Sequence, residues 1–195
     1  MSAPPSTTAQ FHLGRLSGKV ALVTGGANQA GFGAAISARF VSEGAKVLIG
    51  DLDGDGAVAV AEGLNSRNVK GIKMNVCEEA DWKAAVDTII KEWGRLDIII
   101  NNAGATYKNK PTMDVTEDEW ERVFKVNVKS IFWSSKVAIP LLQKQGNGGC
   151  IINISSIGAV RPRPGLVWYN ASKGAVSNVS ILLVILLTSL PARTD

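Results

Sequence analysis

Five short stretches, KVALVTG, AKVLIGD, VKGIKMN, LDIIINN and CIINIS, are continuous apolar runs of strand length, separated by helical patterns. A strand with one wet face alternates apolar and polar residues. Unbroken runs suit strands covered on both faces, as in a parallel sheet flanked by helices. Between them, Phe32, Ile36 and Phe40 recur every four residues. Trp82, Ala85, Val86, Ile89, Ile90 and Trp93 keep the spacing of an amphipathic helix, and Trp120, Val123, Phe124, Val128, Ile131 and Phe132 do so in a longer one. Thr116 and Glu119 open that longer helix with capping-box spacing. Five strands alternating with four helices predict an α/β fold, a doubly wound parallel sheet.

Composition narrows what such a sheet can do. The chain has 195 residues, one domain's worth, with 46% apolar and 19% charged residues. Its net charge of +4 comes without a Lys/Arg run, which suits an anionic small molecule and predicts no nucleic-acid partner. Cys77 and Cys150 have no metal-type spacing and read as reduced thiols, and the single histidine, His12, sits in a polar tail. No metal site is therefore expected. The N-terminal MSAPPSTTAQ lacks a secretory pattern, and the run Ile181 to Leu187 is too short to span a bilayer, so a cytoplasmic chain without a membrane partner is expected.

The segment VTGGANQAGFGAAI leads from the first strand run into the first helix. Gly25, Gly31 and Gly33 let the backbone turn tightly and approach a pyrophosphate, which the helix N-terminus then stabilises. Asp51 stands 20 residues beyond Gly31, at the end of the second strand, where a carboxylate can accept hydrogen bonds from a ribose. It would repel a 2′-phosphate, and neither the glycine turn nor GDLDGDG carries a cation to offset it. NAD is thus expected over NADP, which is not excluded. The plain alternative for Asp51 is an ordinary turn residue at a strand end.

Tyr169 and Lys173 lie four residues apart, so on a helix they share a face, and the ammonium favours the negative form of the phenol. Such a pair can exchange a proton while hydride moves to or from a nicotinamide. Ser156, just past the strand CIINIS, could hold the reacting oxygen. Asn127 interrupts an apolar stripe and is either a satisfied core amide or a member of a polar relay.

Taken together, the glycine turn, NNAG at Asn101 to Gly104, Asn127, Ser156 and YNASK resemble the short-chain dehydrogenase/reductase family, closest to its 3-oxoacyl-carrier-protein-reductase-like branch. The spacing of 13 between Ser156 and Tyr169 matches that family and favours Ser156 over Ser155. The resemblance implies a Rossmann-like sheet and hydride transfer between a nicotinamide cofactor and a secondary alcohol or ketone. It makes Tyr169 the general acid/base and gives Lys173 the nicotinamide ribose. Ser156 then binds the substrate oxygen, Asn127 supports a proton relay through water, and Asn102 and Gly104 border the cofactor. Asn75 stands where the family has an Asp near the adenine. The glycine turn holds five residues between Gly25 and Gly31 instead of three, so a bulge at Asn28 to Ala30 is expected.

The resemblance fades near Val176, and SILLVILLTSLP lacks a helical polar face. The expected layout is a flexible tail over 1–15, a dinucleotide-binding and catalytic domain over 16–176, and an atypical apolar tail over 177–195, with the family's C-terminal strands missing. Such a chain is expected to be poorly soluble or weakly active, and a full-length relative to form a homo-oligomer acting on a small-molecule substrate. Two alternatives stand beside that reading. One is a 3-oxoacyl-thioester reductase, with Arg161 and Arg163 meeting an anionic tail unless they only decorate a proline-stiffened loop. The other is an inactive nucleotide-binding remnant.

Overall fold

The computed structural model describes residues 14–189, so His12 and the two chain ends lie outside the described residues. All five apolar runs are strands: β1 (Val20–Thr24), β2 (Lys46–Asp51), β3 (Val69–Lys73), β4 (Ile98–Asn101) and β5 (Cys150–Asn153). They form one parallel sheet in the order β3-β2-β1-β4-β5. The helices are α1 (Phe32–Ser42), α2 (Gly54–Gly63), α3 (Glu79–Trp93), α4 (Glu117–Phe124), α5 (Ser130–Gln145) and α6 (Val167–Ser189).

The central strands explain their unbroken sequence. All five residues of β1 are buried, with Val20 and Leu22 packed in one apolar layer and Ala21 and Val23 in the other. The first layer joins Trp82, Ala85 and Ile89 of α3 to Ala138 and Leu142 of α5, and the second takes Ala34 of α1 with Ala57 and Val60 of α2. Each fully buried aliphatic side chain stabilises the fold by about 1.5–3 kcal/mol over exposure. Asp97 joins the two halves at the bottom of the sheet. Its carboxylate accepts from the Val20 N–H at 3.0 Å and from Arg95 Nε at 2.9 Å. Burial works to raise the Asp97 carboxyl, but these hydrogen bonds and the charges of Arg95 and Lys19 outweigh it and hold it low.

Three apolar positions differ from the sequence expectation. Phe32 is 78% exposed, because α1 packs on the sheet through the small residues Gly33, Ala34 and Ser37 instead. Trp120 and Phe132 are 40% and 55% exposed, and the long helix they were expected to share carries a π-helical turn. A π-helical turn over Lys125–Lys129 separates α4 from α5, inserting a residue so that the stripe before it and the stripe after it fall on different faces. Val123, Asn127 and Ile131 carry the buried line across the break. The capping box at Thr116 and Glu119 is formed, with the Glu119 N–H 3.3 Å from Thr116 Oγ1 and the Thr116 N–H 3.0 Å from Glu119 Oε2.

Toward the C-terminus, α6 runs without a break past Val176. Among the described residues β5 pairs only with β4, and Cys150 and Ile152 on it are exposed; Cys77 and Cys150 are both free thiols. No described helix is long and apolar enough to cross a membrane, and the described residues hold no metal-binding cluster of three or more His, Cys, Asp or Glu.

Candidate functional site

The strand order reverses direction between β1 and β4, and in a doubly wound sheet the crevice at such a switch point lies beyond the C-terminal ends of the strands. Thr24 ends β1 there, and its hydroxyl accepts from the N–H groups of Asn102 and Ala103, each at 3.1 Å. Asn102 answers by donating both hydrogens of Nδ2 to the carbonyls of Thr24 and Gly25, each at 2.8 Å. Asn102 therefore braces the glycine turn with its whole amide group.

The turn itself has room for backbone only. Gly25 has φ +71°, and a Cβ there would come within 2.7 Å of Ala103 Cα. A Cβ on Gly33 would run into the Gly25 carbonyl oxygen, so that α1 approaches the turn as closely as backbones can. Gly31 is the N-cap of α1 and carries no side chain to occupy the first-turn N–H groups. The extra residues form the expected bulge at Asn28 to Ala30. It is closed by Gly31 N–H to the Asn28 carbonyl at 2.8 Å and by Ala30 N–H to Asn28 Oδ1 at 3.0 Å. This bare, donor-rich concavity fits a pyrophosphate.

Asp51 ends β2 beside the turn. Its two carboxylate oxygens accept from the Ala27 and Asp53 N–H groups at 2.9 and 3.0 Å, and each retains an acceptor lone pair for a ribose hydroxyl. Asn75, in the loop after β3, points its amide oxygen at the Cys77 N–H at 3.0 Å, which leaves its Nδ2 as the group free to meet an adenine.

The catalytic candidates gather on α6 and the turn before it. Tyr169 and Lys173 lie on one face of the helix, as their spacing requires. Lys173 is 5% exposed, its Nζ donates to the Ile154 carbonyl at 2.8 Å, and burial pushes its pKa down. Ser156 caps a 3-10 turn over Ile157–Ala159, its Oγ accepting from the Gly158 N–H at 3.1 Å. Gly158 in turn lies against Asn170, the residue after Tyr169. Ser155 is spent elsewhere: its hydroxyl bonds the Lys173 carbonyl at 3.0 Å and the Ser177 hydroxyl at 2.7 Å, which leaves Ser156 as the available one.

Asn127 connects these parts, and it does so as a satisfied amide. Its Oδ1 accepts from the Ala105 N–H at 2.8 Å, and its Nδ2 donates to the Ala105 carbonyl and to Ser172 Oγ, both at 2.9 Å. Both amide protons are committed, and the side chain holds the NNAG segment against α6. Gly104 lies between the two, where an added Cβ would stand 3.5 Å from Asn127 Oδ1 and 3.6 Å from Lys173 Nζ. The buried amine and the glycine-turn crevice are thereby parts of one site.

Two positioning residues escaped the sequence reading. Thr24 was invisible because its role depends on a partner 78 residues away. Tyr107, buried beside α6, accepts from the Trp168 N–H at 3.0 Å with its phenol oxygen and so caps the first turn of the helix that carries Tyr169. Tyr107→Phe is expected to lower stability by about 1 kcal/mol in urea unfolding, with m unchanged, because that N–H loses its acceptor. An unchanged midpoint would mean that water serves equally well.

The short chain dehydrogenase family profile matches residues 19–183, running seven residues beyond Val176, where the sequence reading had the resemblance fade. The 4-formylbenzenesulfonate dehydrogenase TsaC1/TsaC2 of Comamonas testosteroni is 47% identical over 167 residues, 85% of this chain and 65% of that protein. An NADP-dependent (R)-specific alcohol dehydrogenase of Lentilactobacillus kefiri is 38% identical over 167 residues, again 85% and 65%. The solved 3-ketoacyl-(acyl-carrier-protein) reductase of Brucella melitensis, complexed with NADH, superposes with a TM-score of 0.85 at 39% identity, covering 89% of this chain and 71% of that one. The chain thus spans about 65% of the length of the curated relatives it matches.

Proposed function

Because the chain belongs to the short-chain dehydrogenase family, we propose that it is an NAD(P)-dependent oxidoreductase interconverting a secondary alcohol and a ketone, or an equivalent carbonyl, with NAD preferred. The observation that carries this reading is Gly104, where an added Cβ would touch both Asn127 and the buried amine of Lys173, in a segment braced against the glycine turn. A nicotinamide cofactor supplies or accepts the hydride.

The chain's own groups do the rest. Gly25, Gly31 and Gly33 hold the pyrophosphate against the start of α1, and Asp51 takes the adenosine ribose, where its negative charge disfavours a 2′-phosphate. Asn75 and Gly104 border the adenine and nicotinamide ends, and Asn102 keeps the turn in shape. Ser156 donates to the substrate oxygen. Tyr169 gives that oxygen a proton in the reductive direction and removes it in the oxidative one. Lys173 has two N–H groups left after Ile154. They serve the nicotinamide ribose, on the helix face that also carries Tyr169. The catalytic unit is residues 16–176, and a homo-oligomer is the assembly proposed for a full-length relative. A thioester is the second substrate class, favoured by the Brucella structure's likeness.

The test is direct. NADH fluorescence is expected to rise on mixing with the purified chain and to report tighter binding than NADPH, by about tenfold for one repelled phosphate. Oxidation of NADH on adding an aldehyde or ketone then separates an enzyme from a binding remnant, and a parallel assay with acetoacetyl coenzyme A separates the two substrate classes. Binding without turnover of any carbonyl would leave only the remnant.

A further inference from the structure

We infer that the site selects substrates bearing a carboxylate or sulfonate, recognised by Lys108, Arg161 and Arg163, an inference that rests on the oxidoreductase reading above. Two loops meet beside the catalytic candidates. Asn109 Nδ2 donates to the Pro164 carbonyl at 3.0 Å, and the Lys110 N–H donates to the Gly165 carbonyl at 3.2 Å. Lys108 precedes the first of these ties on one strand of the seam, and Arg163 precedes it on the other.

Both arginines are also fixed to the reacting end by their main chain. The Arg161 N–H donates to the Ile157 carbonyl at 2.8 Å, one residue past Ser156. The Arg163 carbonyl accepts from Asn170 Nδ2 at 2.9 Å, one residue past Tyr169. Pro162 and Pro164 restrict the loop between these anchors, so little ordering is left to bind against. Stiffening accounts for the prolines. It does not account for the charge.

The charge is unbalanced in a way that has a direction. Lys110 is neutralised by Glu119 at 2.8 Å, whereas Lys108, Arg161 and Arg163 form no ion pair among the described residues. From Arg122 to Thr194 the sequence holds nine basic side chains and no Asp or Glu, while the first 121 residues hold 12 basic and 16 acidic ones. The part of the chain that carries Ser156, Tyr169 and Lys173 therefore has basic side chains and no acidic ones, a balance that favours anions over cations. The guanidinium fork suits the paired oxygens of a carboxylate or sulfonate, and a bidentate contact would orient the ligand's other end.

The experiment compares 4-carboxybenzaldehyde with benzaldehyde, binding to the full chain loaded with NAD⁺, which has no hydride to give, by calorimetry. The charged aldehyde is expected to bind about tenfold tighter at about 20 mM salt, and the preference to shrink severalfold by about 200 mM. In Arg161→Gln/Arg163→Gln the preference is expected to fall below about twofold, since the attraction is lost with the charges. Equal binding of the two aldehydes by the wild type, or a preference that survives the double variant, overturns the inference while the oxidoreductase reading stands. Failure of NAD⁺ itself to bind overturns that reading, and the inference with it.

Discussion

Tyr169→Phe is expected to lower kcat for carbonyl reduction by about 10²–10⁴-fold, the usual worth of a positioned general acid. NADH affinity should change by less than about tenfold, the worth of one hydrogen bond. The contrast follows from where the phenol stands. Its ring sits in the first turn of α6, a turn whose position is set by other groups: Tyr107 on the Trp168 N–H, Ser172 on the Tyr169 carbonyl at 2.7 Å, and Asn170 on Arg163. Removing one hydroxyl leaves all of them in place, so the geometry persists and only the proton is lost. Steady-state turnover and NADH fluorescence on the same preparation check both halves. A variant with near wild-type kcat would show that water or another group delivers the proton. The chain has only two tyrosines, so the ultraviolet tyrosinate signal of this variant reports Tyr107 alone, and its difference from wild type isolates Tyr169.

The fold was legible because its signals are local and redundant. The central strand runs are apolar on both faces, and each ends close to where the chain must turn, so errors in one do not spread to the next. The same holds for the glycine turn, where Gly25 and Gly33 are needed whatever lies beyond them. The break at Lys125–Lys129 was not legible. A π turn has no composition of its own, and the apolar spacing on either side looks continuous until the inserted residue is counted. Phe32 misled for a related reason: periodicity marks an apolar side chain without saying whether a smaller neighbour packs closer.

At the site, the identity of the groups was readable but their commitments were not. Asn127 was visible as an amide on an apolar stripe. That its two protons are consumed by Ala105 and Ser172 depends on contacts 22 and 45 residues away. Ser155 and Ser156 are chemically equal in the sequence, and only the bonds from Ser155 to Lys173 and Ser177 distinguish them. Asn102 was expected beside the cofactor, and its hydrogen bonds to the carbonyls of Thr24 and Gly25 are likewise a long-range fact.

Lys173→Met is expected to lower kcat by about 10²-fold or more while leaving the protein at least as stable at neutral pH. The second half of that statement follows from burial. An amine that is 5% exposed, with a carbonyl but no carboxylate as its contact, costs free energy to keep charged, which is why its pKa falls below 10.5. In the unfolded chain the same amine holds its proton up to about 10.4, so between the folded and unfolded values the unfolded state binds more protons. Stability then rises with pH through that window. Below the folded value the full penalty is present and constant. Methionine has similar length and no charge, so it removes the penalty. It also leaves the Ile154 carbonyl without its donor, an opposing loss of about 1 kcal/mol. The net change at neutral pH is therefore small and not negative, and the alkaline rise in stability should disappear from the variant. Urea unfolding at neutral pH and near pH 10, with turnover measured alongside, tests this. A variant destabilised by more than about 1 kcal/mol would make the amine a structural prop held by Ile154. A dead enzyme as firm as its parent would mean the amine is retained for chemistry at a standing cost to the fold.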